Sequence, residues 1–201
     1  MIPTTSQGHS SLIKKMLSEC SKANFDKISK GKQLFHFSHG VSRRIFFIEE
    51  GDFLVRTKKD DKLITIITGP YVIGVISTPD SIPFYLEKVD YGKISVIEYE
   101  HFWCLVRYRD LLPDVMSVIS DYHKEILAYI QTHDSFNETY TRNMIERWSK
   151  YPLHIRKRFS LLFFLVNGTY LSKSTLCRML KRLKDTGSLQ TTKGKLEIYE
   201  P

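Results

Sequence analysis

The sequence predicts an α+β chain in three parts: a β-rich N-terminal half, one long helix, and a C-terminal unit of three helices closed by a β-hairpin. Three observations predict it. Short β-branched and aromatic runs separated by turn residues fill Gln33 to Arg107. A helical seam begins after Pro113. The last sixty residues then hold 13 Lys and Arg against 4 Asp and Glu, whereas residues 1–141 hold 17 against 18. A length of 201 residues suits two domains of about 100 residues each. With 42% hydrophobic residues and only 10 Gly and 7 Pro, the chain can bury a core, which excludes wholesale disorder.

In the first part the expected strands are Gln33 to Phe37, Arg44 to Glu49, Phe53 to Thr57, Leu63 to Thr68, Tyr71 to Ile76, Phe84 to Val89, Ile94 to Tyr99 and Phe102 to Val106. Their spacing suits a sandwich or jelly roll. Gly51, the run Lys59 to Asp61, and Gly69-Pro70 punctuate them where the chain reverses or a strand cannot continue. Ser11 to Ile28, ahead of the strands, reads as a short amphipathic helix and its lead-in. Cys104, between Trp103 and Leu105 in the last expected strand, reads as a buried core thiol.

In the second part Val115, Ile119, Tyr122, Ile126, Tyr129 and His133 fall alternately four and three residues apart, with Asp121, Lys124 and Gln131 off the seam. Such a stripe packs either on its own β-domain, the commoner fate of a single amphipathic helix, or against a second copy of the chain. Dimerisation is preferred because of the C-terminal unit that the helix carries.

The polar stretch Asp134 to Thr141 reads as a hinge. Helices are expected over Glu138 to Lys150, stopped by Pro152; Leu153 to Val166, stopped by Asn167-Gly168; and Ser174 to Lys184, stopped by Gly187. Strands Leu189 to Thr192 and Lys195 to Tyr199 meet at Lys193-Gly194. Three helices followed by a β-hairpin make a winged helix-turn-helix. The expected domains are therefore 1–111, 112–134 and 135–201.

A compact basic segment behind a near-neutral one is the electrostatic footprint of a nucleic-acid reader, since phosphate neutralisation is the sequence-independent part of affinity. In the third helix Leu176, Met179, Leu180 and Leu183 recur at helical spacing and face the core. Lys173, Ser174, Cys177, Arg178, Lys181 and Arg182 then fall largely outside. Arg178 is the best candidate for bidentate bonding to a guanine. Ser172 can cap the helix and, with Thr175, hold a phosphate at its positive end. Lys193 and Lys195 on the hairpin can grip the neighbouring backbone, which positions the protein without specifying its site. The bland alternative is a solvated helix face, but no acidic residue occurs between Ser172 and Lys184, so Lys173 and Arg178 have no local partners at i±4.

These residues carry a resemblance. Ser172 to Arg178 with Leu180, Lys181 and Leu183, then Gly187 and a hairpin, closely resembles the recognition helix and wing of the cyclic-AMP receptor/FNR superfamily of bacterial transcription regulators. Ile45 to Val55, Leu63 to Gly69 and Val72 to Gly74 look like its cyclic-nucleotide-binding β-roll, and Leu112-Pro113 begins a helix where the family has its dimerisation helix. The resemblance covers about residues 25 to 201, and the chain looks most like the small, pocket-degenerate enterobacterial regulators related to IprA. It implies a homodimer on a roughly two-fold symmetric operator, with recognition helices about 34 Å apart. Lys173, Ser174 and Arg178 match the family's base-contacting positions. Ser174 replaces a common acidic residue, which implies a different specificity. The small residues usual in the family's turn have no clear counterpart in Val166 to Leu171.

In the nucleotide-binding members a Gly-Glu pair and a following Arg hold the ribose and cyclic phosphate. Here Val75 falls at the Glu position and Ile82 near the Arg position. A cyclic phosphate buried without a cation costs several kcal/mol, so no cyclic nucleotide is expected to bind. Arg56, Lys58 and Lys88 are weak substitutes.

The remaining chemistry is sparse. An FNR-type iron-sulfur cluster needs four thiolates, and the chain has three scattered cysteines, Cys20, Cys104 and Cys177, which suit reduced thiols. Cys177, among Lys173, Arg178 and Lys181, is a candidate redox thiol. His36 and His39 read as loop histidines, and no metal or cofactor is expected. No nucleophile or phosphate-cradling motif supports an enzyme. Met1 to Ser11 lacks the pattern of an export signal, and Leu161 to Val166 is far short of the roughly 20 residues of a spanning helix, so the cytoplasm is expected and no membrane partner is.

The function expected first is a sequence-specific regulator whose partners are double-stranded DNA, a second copy of the chain and, as a further candidate, RNA polymerase. The alternative is a partner-binding or small-effector-binding β-roll with a non-specific nucleic-acid-binding tail. A metal-dependent jelly roll acting on small molecules stands third.

Overall fold

The computed structural model describes residues 7–24, 26–28, 32–39, 42–76, 83–133 and 138–199. The chain divides into two compact units, with the boundary between His123 and Lys124 inside one continuous helix.

In the first unit α1 (Gln7–Met16) and one 3-10 turn (Leu17–Glu19) lead into β1 (Ser21–Lys22), β2 (Asp26–Ile28), β3 (Lys32–His36) and β4 (Ser38–His39). There follow β5 (Ser42–Thr57), β6 (Leu63–Thr68), β7 (Tyr71–Ile73), β8 (Phe84–Glu98), α2 (Tyr99–Tyr108) and the start of α3 (Leu112–His133). β5 and β8 form the frame, antiparallel from Arg44 opposite Glu98 to Thr57 opposite Phe84. Bulges between Ile48 and Glu50 and between Gly51 and Phe53 bend this ribbon. Its halves therefore take different neighbours: β7 pairs along Phe46 to Ile48, β6 along Asp52 to Arg56, and β3 along the first half of β8.

Side chains alternate across the frame. Phe46, Ile48, Phe53 and Val55 pack with Phe35, Phe37, Ile67, Tyr71 and Leu86 in one core cluster. Ile45 and Phe47 go to the other face, where the helices supply Leu12, Met16, Phe102, Val106 and Val115. Ile45 to Ile48 is an unbroken apolar run because both of its faces are covered.

Several expectations are corrected by these elements. Arg44 to Glu49 and Phe53 to Thr57 are two halves of β5, and Phe84 to Val89 and Ile94 to Glu98 are halves of β8. Gly51 does not end a strand. Its φ is +94° and a Cβ there would lie 2.3 Å from the Tyr91 carbonyl oxygen, so it permits the bulge and the close approach of β8. Phe102 to Val106 is helix, not strand: Phe102 and Val106 are four residues apart and both buried, and burial against the sheet outweighs the β-propensity of the residues between them. Cys104 accordingly lies exposed on α2 instead of in the core. α1 begins at Gln7, because Gly8 and His9 share the buried face of Leu12, Ile13 and Met16, and short strands come after it in place of the expected lead-in. His36 and His39 are strand residues, on β3 and β4, with Phe37 between them.

In the second unit α4 (Glu138–Ser149), α5 (Leu153–Arg158), α6 (Leu161–Gly168) and α7 (Lys173–Asp185) precede β9 (Leu189–Thr192) and β10 (Lys195–Tyr199). Trp148 is fully buried, stacked on Phe164 at 4.8 Å with the Tyr151 ring 5.4 Å away. Ile145, Ile155, Leu165, Leu176, Leu183, Leu189 and Leu196 complete this core. The helix expected over Leu153 to Val166 is two helices. Phe159 and Ser160 are extended, and Ser160 Oγ accepts the Phe163 N–H at 3.0 Å, capping α6. Among the described residues no helix is long and apolar enough to cross a membrane.

Candidate nucleic-acid interface

α7 starts at an N-cap. Ser172 has extended φ/ψ, and its Oγ accepts the Thr175 N–H at 3.1 Å and lies 2.9 Å from the Ser174 and Thr175 hydroxyls. Leu176 and Leu183 are buried, and Met179 and Leu180 half-buried, so the apolar stripe is consumed by the unit's own core. Lys173, Ser174, Cys177, Arg178, Lys181 and Arg182 are all exposed, and Thr175 is half-buried. The helix thus turns a continuous cationic face to solvent, beginning at its positive end.

The turn ahead of α7 closes on Thr169, which is fully buried and whose Oγ1 donates to the Leu165 carbonyl at 2.8 Å. Thr169 and Gly168, at the end of α6, are both buried.

The hairpin joins at Lys193 and Gly194, both in the left-handed region with φ +49° and +77°. This is the pair of positive angles that a two-residue turn matching strand twist requires. Lys193 is exposed at the tip. Lys195 is half-buried, and its Nζ donates to the Arg158 carbonyl at 2.9 Å, a strut from β10 to the end of α5. Leu161 N–H donates to the Gly194 carbonyl at 3.1 Å, so the tip is fastened to the start of α6. The basic end of α5, where Lys157 and Arg158 are exposed, is absent from the residues that sequence reasoning selects. The signal that could have found it is a wider window: no acid occurs anywhere from Arg147 to Lys184.

Along α3, Val115 is fully buried in the first unit, and Ile119 and Tyr122 are half-buried against its core. Ile126 remains 53% exposed, and Leu112 and Met116 are 52% and 54% exposed. The side chains of Tyr129 and His133 lie outside the described residues. Two apolar stripes run along this helix, and the sequence period alone does not say which one the β-unit covers.

At the expected effector pocket Val75 is buried among Val72, Phe47 and Ile45, and Ile82 lies outside the described residues. The roll's core is aromatic, with Phe37 5.1 Å from Phe46 and 5.0 Å from Phe84 between ring centroids. Arg56 is buried but engaged, its Nε donating to Glu87 Oε2 at 2.6 Å and Nη1 to the Asp61 carbonyl at 2.8 Å.

Where α1, β7 and α3 meet, the His9 ring stacks on Tyr71 at 4.3 Å and Nδ1 accepts the Val72 N–H at 3.0 Å. Tyr122 Oη donates to the carbonyl of the same Val72. Burial pushes the His9 imidazole down to about 4, against the opposing pull of Asp121, whose Oδ2 lies 3.9 Å from Nε2. Among the described residues no group of three or more His, Cys, Asp or Glu is placed to hold a metal.

No protein-family model matches the chain, and no curated protein does. Among solved structures it is similar to the c-di-GMP-responsive global regulator CLP of Xanthomonas campestris, with 15% identity, a TM-score of 0.63, and 96% of this chain and 100% of that chain covered. It is similar at 12% identity to a CooA variant from Carboxydothermus hydrogenoformans, TM-score 0.63, covering 93% and 86% of the two chains. A cyclic nucleotide-binding domain containing protein from Listeria monocytogenes matches at 14% identity and TM-score 0.61 over 94% of each. CLP is described as a global regulator. The α+β fold, a β-sheet unit followed by helices, is the fold that these three proteins share.

Proposed function

We propose that the chain is a sequence-specific DNA-binding transcription regulator of the cyclic-AMP receptor/FNR superfamily, akin to its small IprA-related members, that works in the cytoplasm as a homodimer and addresses RNA polymerase. The observation that carries this reading is α7, whose Ser172-capped start and exposed Lys173, Arg178, Lys181 and Arg182 offer an unbroken basic face. In this reading residues 135–201 are a winged helix-turn-helix, with α6 and α7 as its two helices and β9–β10 as its wing. Arg178 reads a base edge, Lys173 and Ser174 flank it, and Ser172, Thr175 and Lys193 meet phosphates. Cys177 sits on the same face, so oxidation there would disturb DNA binding.

Residues 112–134 are the dimerisation helix. Leu112, Met116, Ile119, His123 and Ile126 recur alternately four and three residues apart and keep exposed surface, a seam one stripe round from the Val115–Tyr122 side that the β-unit covers. Met116→Glu is expected to yield a monomer in sedimentation and to lose affinity for a two-fold symmetric site.

Residues 1–111 are a roll that does not bind cyclic nucleotide. Val75 brings no polar anchor, and Arg56 is held by Glu87, so a buried cyclic phosphate would lack a cation.

The test is selection of bound duplexes from a random pool. A regulator enriches one site and prefers it about 10³-fold or more over random DNA. A pool that returns no enriched sequence, with affinity that vanishes as salt rises, supports the non-specific alternative and overturns this reading.

A further inference from the structure

We infer that His9 is an acid-sensitive latch: gain of a proton by its ring releases α1 from β7 and uncovers the Val115–Tyr122 stripe of α3. The inference concerns the first unit alone and stands apart from the reading of α7.

One residue of β7 ties two helices to the sheet. Val72 lies opposite Phe47 of β5, and a residue of an antiparallel strand sends its N–H and its carbonyl to the same side. Val72 spends both on side chains. Its N–H donates to His9 Nδ1 of α1 at 3.0 Å, and its carbonyl accepts the Tyr122 hydroxyl of α3. α1 also lies close on α3: a Cβ on Gly8 would stand 2.6 Å from Ser117 Oγ, and Lys15 Nζ is 2.6 Å from Asp114 Oδ2. Leu12, Ile13 and Met16 share one core cluster with Val115 and Val118, with Ile119 and Tyr122 packed against it. α1 is thus part of what covers the stripe.

The latch holds in one protonation state only. Because Nδ1 accepts the Val72 N–H, the neutral ring carries its hydrogen on Nε2. Nε2 is buried and makes no hydrogen bond among the described residues, since Asp121 Oδ2, at 3.9 Å, is beyond bonding reach. A second proton must therefore go to Nδ1, where the Val72 N–H already points. The acceptor becomes a donor, and the bond to β7 is lost.

The charged ring has no water to turn to in the closed form, because His9 is fully buried. The titratable groups that face it are Tyr71 from β7 and Asp121 and Tyr122 from α3, while Lys14 and Lys15 of its own helix are exposed. Burial holds the ring at about 4, below its ordinary 6.5, and the Asp121 carboxylate offsets only part of this. Movement of α1 into water relieves the penalty. Closure is complete above about pH 6.5 and weakens as the pH falls toward 4. The gap between the two values biases α1 toward opening by roughly 30-fold at about pH 5.

The test reads hydrogen exchange of the full-length chain at about pH 8 and about pH 5, each corrected for the intrinsic exchange rate. Peptides of α1 should open roughly 30-fold more at the lower pH, while those of β8 and of the second unit keep their protection. ANS, which reports exposed apolar surface, should bind the acid form. His9→Gln keeps an amide oxygen for the Val72 N–H and takes up no proton, so its α1 should show neither change. Titration of the wild-type His9 ring by NMR needs no variant and should give a midpoint well below 6.5. A ring that titrates at 6.5 while α1 stays protected overturns the latch, and so does an α1 that opens in acid as readily in His9→Gln as in the wild type.

Discussion

The two units use their charges in opposite ways. In the β-unit the cations meet acids: Lys15 with Asp114 at 2.6 Å, Lys32 with Glu87 at 2.7 Å and Arg56 with Glu87 at 2.6 Å. In the C-terminal unit Lys150 pairs with Glu146 one helical turn away, but Lys173, Arg178, Lys181, Arg182 and Lys193 face solvent on an acid-poor surface. Paired charges inside a fold belong to its architecture, and truncating one exposes the desolvation cost of the other. On the proposed reading the clustered, acid-poor charges of the second unit serve DNA. Stability and DNA binding should therefore come apart when cations are removed from one unit or the other.

The largest effect is expected at Arg56. Both it and Glu87 are buried, so Arg56→Met strands a carboxylate beside Lys32. A loss of about 3–5 kcal/mol of β-unit stability is expected from denaturant unfolding. The α7 face is untouched, so whatever protein remains folded should bind DNA with its original preference.

His9 sharpens the contrast through pH. Its ordinary value is 6.5, and burial lowers it to about 4 in the fold. The unfolded chain takes up the proton first, so the stabilisation held by the neutral ring is complete above about pH 6.5 and is lost as pH falls toward 4. Up to about 3 kcal/mol is at stake. The groups facing the ring are Tyr71 from β7 and Asp121 and Tyr122 from α3. Acid melting of the wild type against His9→Leu is the measurement. A pH-dependence that survives intact in the variant would remove His9 from the account.

Arg178→Ala should do the reverse of Arg56→Met. Unfolding is expected to stay within about 0.5 kcal/mol of wild type, since the side chain is exposed. Discrimination between the selected site and random DNA should fall by about 1–3 kcal/mol, roughly five- to 150-fold. Equal losses on both DNAs would reassign Arg178 to the backbone.

The same division separates the regions that are legible in the sequence from those that are not. α7 is legible because its stripe of Leu176, Met179, Leu180 and Leu183 and its basic face are both local patterns. The β-unit is legible only in pieces. Gly51 looks like a turn in sequence, and only its pairing across β8 reveals that the chain continues through it as one bent strand. Phe102 to Val106 is rich in strand-favouring residues, and the choice of helix is made by the surface beneath it. The break at Ser160 is hidden because Leu161 to Val166 extends the apolar run past the cap. On α3 two stripes compete, and the one with Val115 has the period of a dimer seam although the β-unit already covers it. Each miss occurs where a long-range contact selects between local alternatives of similar merit.

The smallest expected effect lies between the two kinds of charge. Lys195 is a cation of the second unit that has an internal partner, the Arg158 carbonyl. Lys195→Met keeps the stem's length and removes the ammonium, so about 1 kcal/mol of stability should be lost from the second unit. The salt slope should change by less than the roughly one unit expected for a phosphate-bound lysine, because no phosphate contact is removed. A fall of a full unit with no loss of stability would place Lys195 with Lys193 on the DNA and would mean that the bond to Arg158 opens when the duplex arrives.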